Sequence, residues 1–95
     1  MSNRDAYVKK LQAKLDEWNA DIDKLEAKAR ASRADVQVAL NRKVTELRSR
    51  REETTAKLRE LRDAGEGAWE ELKAGVELAW EALSDAMQSA KSHFE

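Results

Sequence analysis

Between Leu11 and Leu61 the chain contains neither Gly nor Pro, and small or apolar residues recur at alternating steps of four and three. Leu11, Leu15, Trp18, Ile22, Leu25, Ala29, Ser32 and Val36 follow this rhythm, and Leu40, Val44, Leu47, Thr54, Leu58 and Leu61 resume it. Such spacing draws one narrow stripe down an α-helix, the seam through which coiled coils pack. From Val36 to Leu47 the steps are four, four and three, so the heptad phase slips. Two readings follow. The helix runs through with a local change of supercoil, or the chain turns near residues 32–35 with Ser32 or Asp35 as a cap. Alanines at 29, 31 and 34 are good helix formers and no strong breaker lies nearby, so the continuous helix is preferred.

The first breaker is Ala64-Gly65-Glu66-Gly67. Gly65 is expected to close the helix in the left-handed conformation, and Gly67 adds freedom for the reversal. Beyond it the period changes. Trp69 aligns with Trp80, Leu72 with Leu83 and Val76 with Met87, two copies of an eleven-residue unit. Eleven residues over three turns keep an apolar stripe nearly straight, so residues 68–93 form the more strongly amphipathic helix. At the other end, Ser2 and Asp5 suit a helix start near Asn3.

Charge sharpens this outline. Of the 95 residues 39% are charged and 5% aromatic, the balance of solvated helices with a thin apolar face. Residues 1–63 carry 16 Lys/Arg against 12 Asp/Glu, and residues 64–95 carry 2 against 7. The two parts are complementary, which favours the acidic C-terminal helix lying on the basic 37–63 stretch. Acid-first pairs at i,i+4 (Asp5–Lys9, Glu26–Arg30, Glu46–Arg50, Glu53–Lys57) stiffen a helix by about 0.2–0.5 kcal/mol each. They leave the seam in need of a partner.

Chemistry is hard to find. There is no cysteine, and the single histidine, His93, offers no ligand spacing for zinc. Gly65 and Gly67 lack the Lys-Ser/Thr of a phosphate loop, and no nucleophile–base pair or convergent carboxylate set appears. The expectation is a protein that is not an enzyme and uses no cofactor or metal. Arg42, Lys43, Arg48, Arg50 and Arg51 form a basic cluster, but no aromatic residue interleaves it and the chain lacks a net basic surface, so nucleic acid is not expected as a partner. Trp18, Trp69 and Trp80 lie on apolar stripes, where packing is favoured over anchoring at a membrane surface. No apolar h-region or run of ~20 apolar residues occurs, and a cytoplasmic location is expected.

The run Tyr7-Val8-Lys9-Lys10-Leu11-Gln12-Ala13-Lys14-Leu15-Asp16-Glu17-Trp18-Asn19-Ala20-Asp21-Ile22-Asp23-Lys24-Leu25, together with Ala68-Trp69-Glu70-Glu71-Leu72-Lys73-Ala74-Gly75-Val76-Glu77, resembles a group of small bacterial coiled-coil proteins linked to stress responses and first noted in cyanobacteria. The resemblance spans nearly the whole chain. It implies a cytoplasmic helical protein and brings no catalytic residues.

The expected fold is all-α: a long helix 3–63, a corner at 64–67 holding Gly65 and Gly67, and an antiparallel helix 68–93. Leu47, Leu58, Leu61, Trp69, Leu72, Val76, Trp80, Leu83 and Met87 would pack this coiled-coil αα-hairpin. Leu11, Leu15, Trp18, Ile22 and Leu25 would remain uncovered as a self-association seam, making a dimer or tetramer. The alternative is a compact three-helix bundle turning near 32–35. The expected function is protein interaction and self-assembly, linked to bacterial stress. The alternative is binding of lipid or exposed apolar surfaces by the C-terminal helix.

Overall fold

The structure, a computed structural model, describes residues 3–94. It is all-α: α1 (Asn3–Ala31), α2 (Ala34–Arg62), a 3₁₀ turn (Glu66–Ala68) and α3 (Trp69–Phe94). The expected Ser2 cap lies outside the described residues. Acids sit in the first turns (Asp5, Asp35, Glu70, Glu71) and bases in the last (Lys28, Arg30, Arg59, Arg62), each sign favouring its helix end.

The continuous helix 3–63 is not what forms. The chain turns at Ser32 and Arg33, the three-helix alternative. Arg33 is extended (φ −61°, ψ 150°), and its carbonyl accepts from the amides of Val36 and Gln37 at 3.0 and 2.8 Å to start α2. No side chain caps that start, and the Ser32 hydroxyl bonds backwards to the Lys28 carbonyl at 2.9 Å. Local propensity therefore does not make this turn; burial does. A straight helix would leave Leu15, Trp18, Ile22 and Leu25 in water, at about 1.5–3 kcal/mol each. Breaking it forfeits a few backbone hydrogen bonds worth about 0.5–1.5 kcal/mol apiece. The apolar term wins.

Folding back gives a bundle of 51 × 21 × 17 Å. A 29-residue helix spans about 44 Å at ~1.5 Å per residue, which accounts for the long axis. α1 and α2 run antiparallel, with Arg48 reaching Asp23 and Glu26, and Arg51 reaching Asn19. α2 and α3 are also antiparallel, and α3 lies parallel to α1, with Tyr7 beside Trp69 and Trp18 beside Trp80. One core joins all three: Leu15, Trp18, Ile22 and Leu25 from α1, Val44, Leu47, Leu58 and Leu61 from α2, and Trp69, Val76, Leu83, Met87 and Ala90 from α3.

The second corner also differs from expectation. Gly65 is extended (φ −76°, ψ 169°), and no described residue has positive φ. The reversal is spread over residues 63–68: the Asp63 amide bonds to Arg59, that of Ala64 to Leu61, and that of Ala68 to Gly65. Gradual 3₁₀-type bonding does the work assigned to one left-handed glycine. A Cβ added at Gly65, Gly67 or Gly75 would meet nothing within 4 Å.

Two substitutions test this packing in urea titrations. Ile22→Ala, at a position 0% exposed, should destabilise by about 2–5 kcal/mol. Gly75→Ala, inside α3 with open space above it, should stabilise by about 0.4–1 kcal/mol.

Candidate functional site

The proposed self-association seam and the hairpin-packing set merge into a single interior. Leu15, Trp18, Ile22 and Leu25 are at most 8% exposed, and Leu11 packs half-buried against them. This corrects the premise that the seam lacks cover within its own chain: the turn at 32–33 supplies it. Leu47, Leu58, Leu61, Trp69, Val76, Leu83 and Met87 are buried in the same core, with Leu72 and Trp80 partly buried at its edge. Gly65 and Gly67 lie in the solvent-exposed corner.

The aromatic residues knit α1 to α3. Trp18 and Trp80 stack with centroids 4.8 Å apart, and Tyr7 meets Trp69 edge-on at 6.1 Å. Such pairs contribute about 0.5–1.5 kcal/mol beyond area burial. Arg4 lies 4.9 Å over Trp69 and Lys73 5.2 Å over Tyr7, so cations close the open side of this ladder. Trp18 and Trp69, 8% and 7% exposed, are packing residues here.

The electrostatics are not those expected. None of the described ion pairs joins α2 to α3; the cross-helix pairs are Arg48 with Asp23 and Glu26, and Lys91 with Asp21. The acidic α3 thus rests on the basic stretch through apolar contact and the buried Thr54 hydroxyl, which also reaches the Ala79 carbonyl at 3.4 Å. The basic cluster is dispersed over different faces. Arg48 turns to α1, Arg50 pairs with Glu46 at 3.3 Å, and Arg42 lines a shallow outer groove with Val38, Asn41 and Thr45.

Arg51 is the residue that pattern reading passed over. It stands four after Leu47 and three before Thr54, the vacant step in the α2 stripe. Its Nη1 donates to the Asn19 side-chain oxygen at 2.6 Å, while Nε is buried without a protein partner. One step on, Thr54 is 0% exposed and donates to the Arg50 carbonyl at 2.7 Å. Polar groups inside a seam fix register at some cost in stability. The hydrogen bonds Arg48 donates to Glu26 and then to Asp23 hold its guanidinium pKa above the ordinary range, and it stays charged.

What can this surface do chemically? Among the described residues no group of three His, Cys, Asp or Glu could hold a metal ion. His93 is exposed, with Nδ1 2.9 Å from the Ser89 carbonyl. No described helix is long and apolar enough to cross a membrane. A groove between α1 and α3 has Tyr7, Leu11 and Trp80 as its floor and Glu77, Glu81 and Asp85 on its rim. In it the Tyr7 hydroxyl donates to Glu77 at 3.4 Å. Burial first, then the Glu77 charge and hydrogen bond, raises the Tyr7 pKa above 10.0.

The sign of that shift is testable. The folded state holds the phenolic proton more tightly than the unfolded chain does. The increment is therefore fully present below about pH 10 and lost as pH rises through the folded-state pKa. Wild type should lose stability above pH 10 more steeply than Tyr7→Phe, measured by urea midpoints across alkaline pH. Parallel curves would contradict the assignment. Compared with known protein families, curated proteins and solved structures, the chain matches none.

Proposed function

We propose that this chain is a non-enzymatic helical interaction protein that self-associates, serving a bacterial stress response in the cytoplasm. The stress link and the compartment come from the resemblance of the Tyr7–Leu25 and Ala68–Glu77 segments, and the interaction role from physical features. The observation that carries it is the α1 stripe. Leu15, Trp18, Ile22, Leu25 and Ala29 repeat at strict steps of three and four, and all are at most 8% exposed. In the single chain α2 and α3 fill this stripe, and its apolar spacing with the Arg48–Glu26 and Arg51–Asn19 contacts beside it supports the reading that the same surface recognises α1 of a second copy.

A lipid-binding role for α3 is the second reading, favoured by its wide apolar face. It requires α3 to leave the bundle, which uncovers Trp69, Val76, Leu83 and Met87 and parts Trp80 from Trp18. The face left outward carries Glu70, Glu71, Glu77, Glu81 and Asp85, which anionic lipid repels. Protein association is therefore placed first.

Sedimentation equilibrium across a wide concentration range tests the reading. The weight-average mass should rise above 10.8 kDa with concentration. A mass fixed at 10.8 kDa up to millimolar protein would contradict self-association.

A further inference from the structure

We propose that α1 is an exchangeable element: the surface formed by α2 and α3 accepts α1 of a second copy, residues 3–62 of each chain then forming one helix. The proposal rests on the self-association put forward above and names its contact. Three independent features of the α1–α2 connection lead to it.

The first is that only exposed local contacts hold the turn: Ser32 bonds back to Lys28 and Ala29, and Arg33 pairs with Asp35 at 3.3 Å. The turn is two residues long, contains no Gly or Pro, and has no side-chain cap on α2. Arg33 departs from helical geometry chiefly in ψ, 150° against about −40° in a helix. Returning it to the helical range extends the backbone ladder across the turn and gives the first amides of α2, ahead of the already bonded Val36 and Gln37, carbonyl partners at the end of α1.

The second is that exchange preserves the core. Each contact of α1 with α2 and α3, including Trp18 on Trp80, Arg48 with Glu26 and Lys91 with Asp21, can be made by α1 of the other copy in the same geometry. Because α1 and α2 are antiparallel in one chain, two straightened helices would lie antiparallel about a twofold axis near residue 36, the midpoint of the Arg48–Asp23, Arg48–Glu26 and Arg51–Asn19 pairs. This is the low-cost route to a symmetric dimer. Its free energy is set by the hinge and by the entropy of association, since the buried seam is common to both states.

The third feature is Val36. In the closed chain it is 44% exposed, one of the few large apolar residues left outside. On a straight helix it stands seven residues after Ala29 and four after Ser32, on the same stripe as Leu25. At the dyad that stripe faces the second copy, which would cover Val36. The phase slip that follows it, Val36–Leu40–Val44, falls where α1 contacts give way to α2 contacts.

The test uses the full chain, which has no native cysteine. Spin labels at Ala13→Cys and Glu60→Cys, diluted into excess unlabelled protein, report the distance within one chain. In the closed bundle helices pack about 8–10 Å apart, so the labels should read below about 30 Å. In the exchanged dimer they sit on one helix, about 70 Å apart at ~1.5 Å per residue. The dimer fraction should show the long distance and the monomer fraction the short one. Ser32→Ala with Arg33→Ala should strengthen dimerisation at least about tenfold. Val36→Glu should weaken it by a similar factor, and a Gly-Asn-Gly insertion after Ser32 should abolish it, each with helicity retained. A dimer that keeps the short intrachain distance overturns exchange and leaves self-association standing. Wild type and the double-alanine chain both monomeric at millimolar concentration overturn exchange and self-association together.

Discussion

Four large side chains on one face of α1, Leu15, Trp18, Ile22 and Leu25, constrain everything else in this molecule. No surface of α1 can hide them, and at about 1.5–3 kcal/mol each their exposure outweighs any local preference in the residues that follow. The chain bends at Ser32 and Arg33, against the helical preference of the residues there, and places this face against α2 and α3. The parallel arrangement of α1 and α3 and the tryptophan stack follow from that one closure. It also determines which charges meet. Once α1 lies along α2, Arg48 finds Asp23 and Glu26, and the acids of α3 are left facing water.

How much of this the sequence disclosed depends on whether periodicity or cost decides the question. The stripe Leu15–Trp18–Ile22–Leu25–Ala29 was legible because burial enforces steps of three and four on any packed helix face, and the same holds for Trp69, Val76, Leu83 and Met87 in the eleven-residue units. The corner near Gly65 was legible for a similar reason, since glycines interrupt helical propensity. Its conformation was not: the chain reverses through Asp63, Ala64 and a 3₁₀ turn, without a left-handed residue.

The turn at Ser32–Arg33 was the harder case. Its residues favour helix, and its cause lies in the hydrophobic stripe some turns away. The slip after Val36 was the trace it left in the sequence. Arg51 was hidden for the opposite reason. A charged residue at a seam position reads as a gap, and only the Asn19 partner on the facing helix shows why it is tolerated. The seam assigned to self-association is therefore an interior of the single chain.

The central claim is that α1 folds back on its own α2 and α3 when the chain is alone. Small-angle scattering extrapolated to zero concentration measures this most directly. The monomer should show a radius of gyration close to 15.4 Å, a little larger once side chains and hydration are included, and a maximum dimension not far above 51 Å. A monomer with a maximum dimension near 90 Å, the length of an unbroken helix of about sixty residues at ~1.5 Å each, would contradict it.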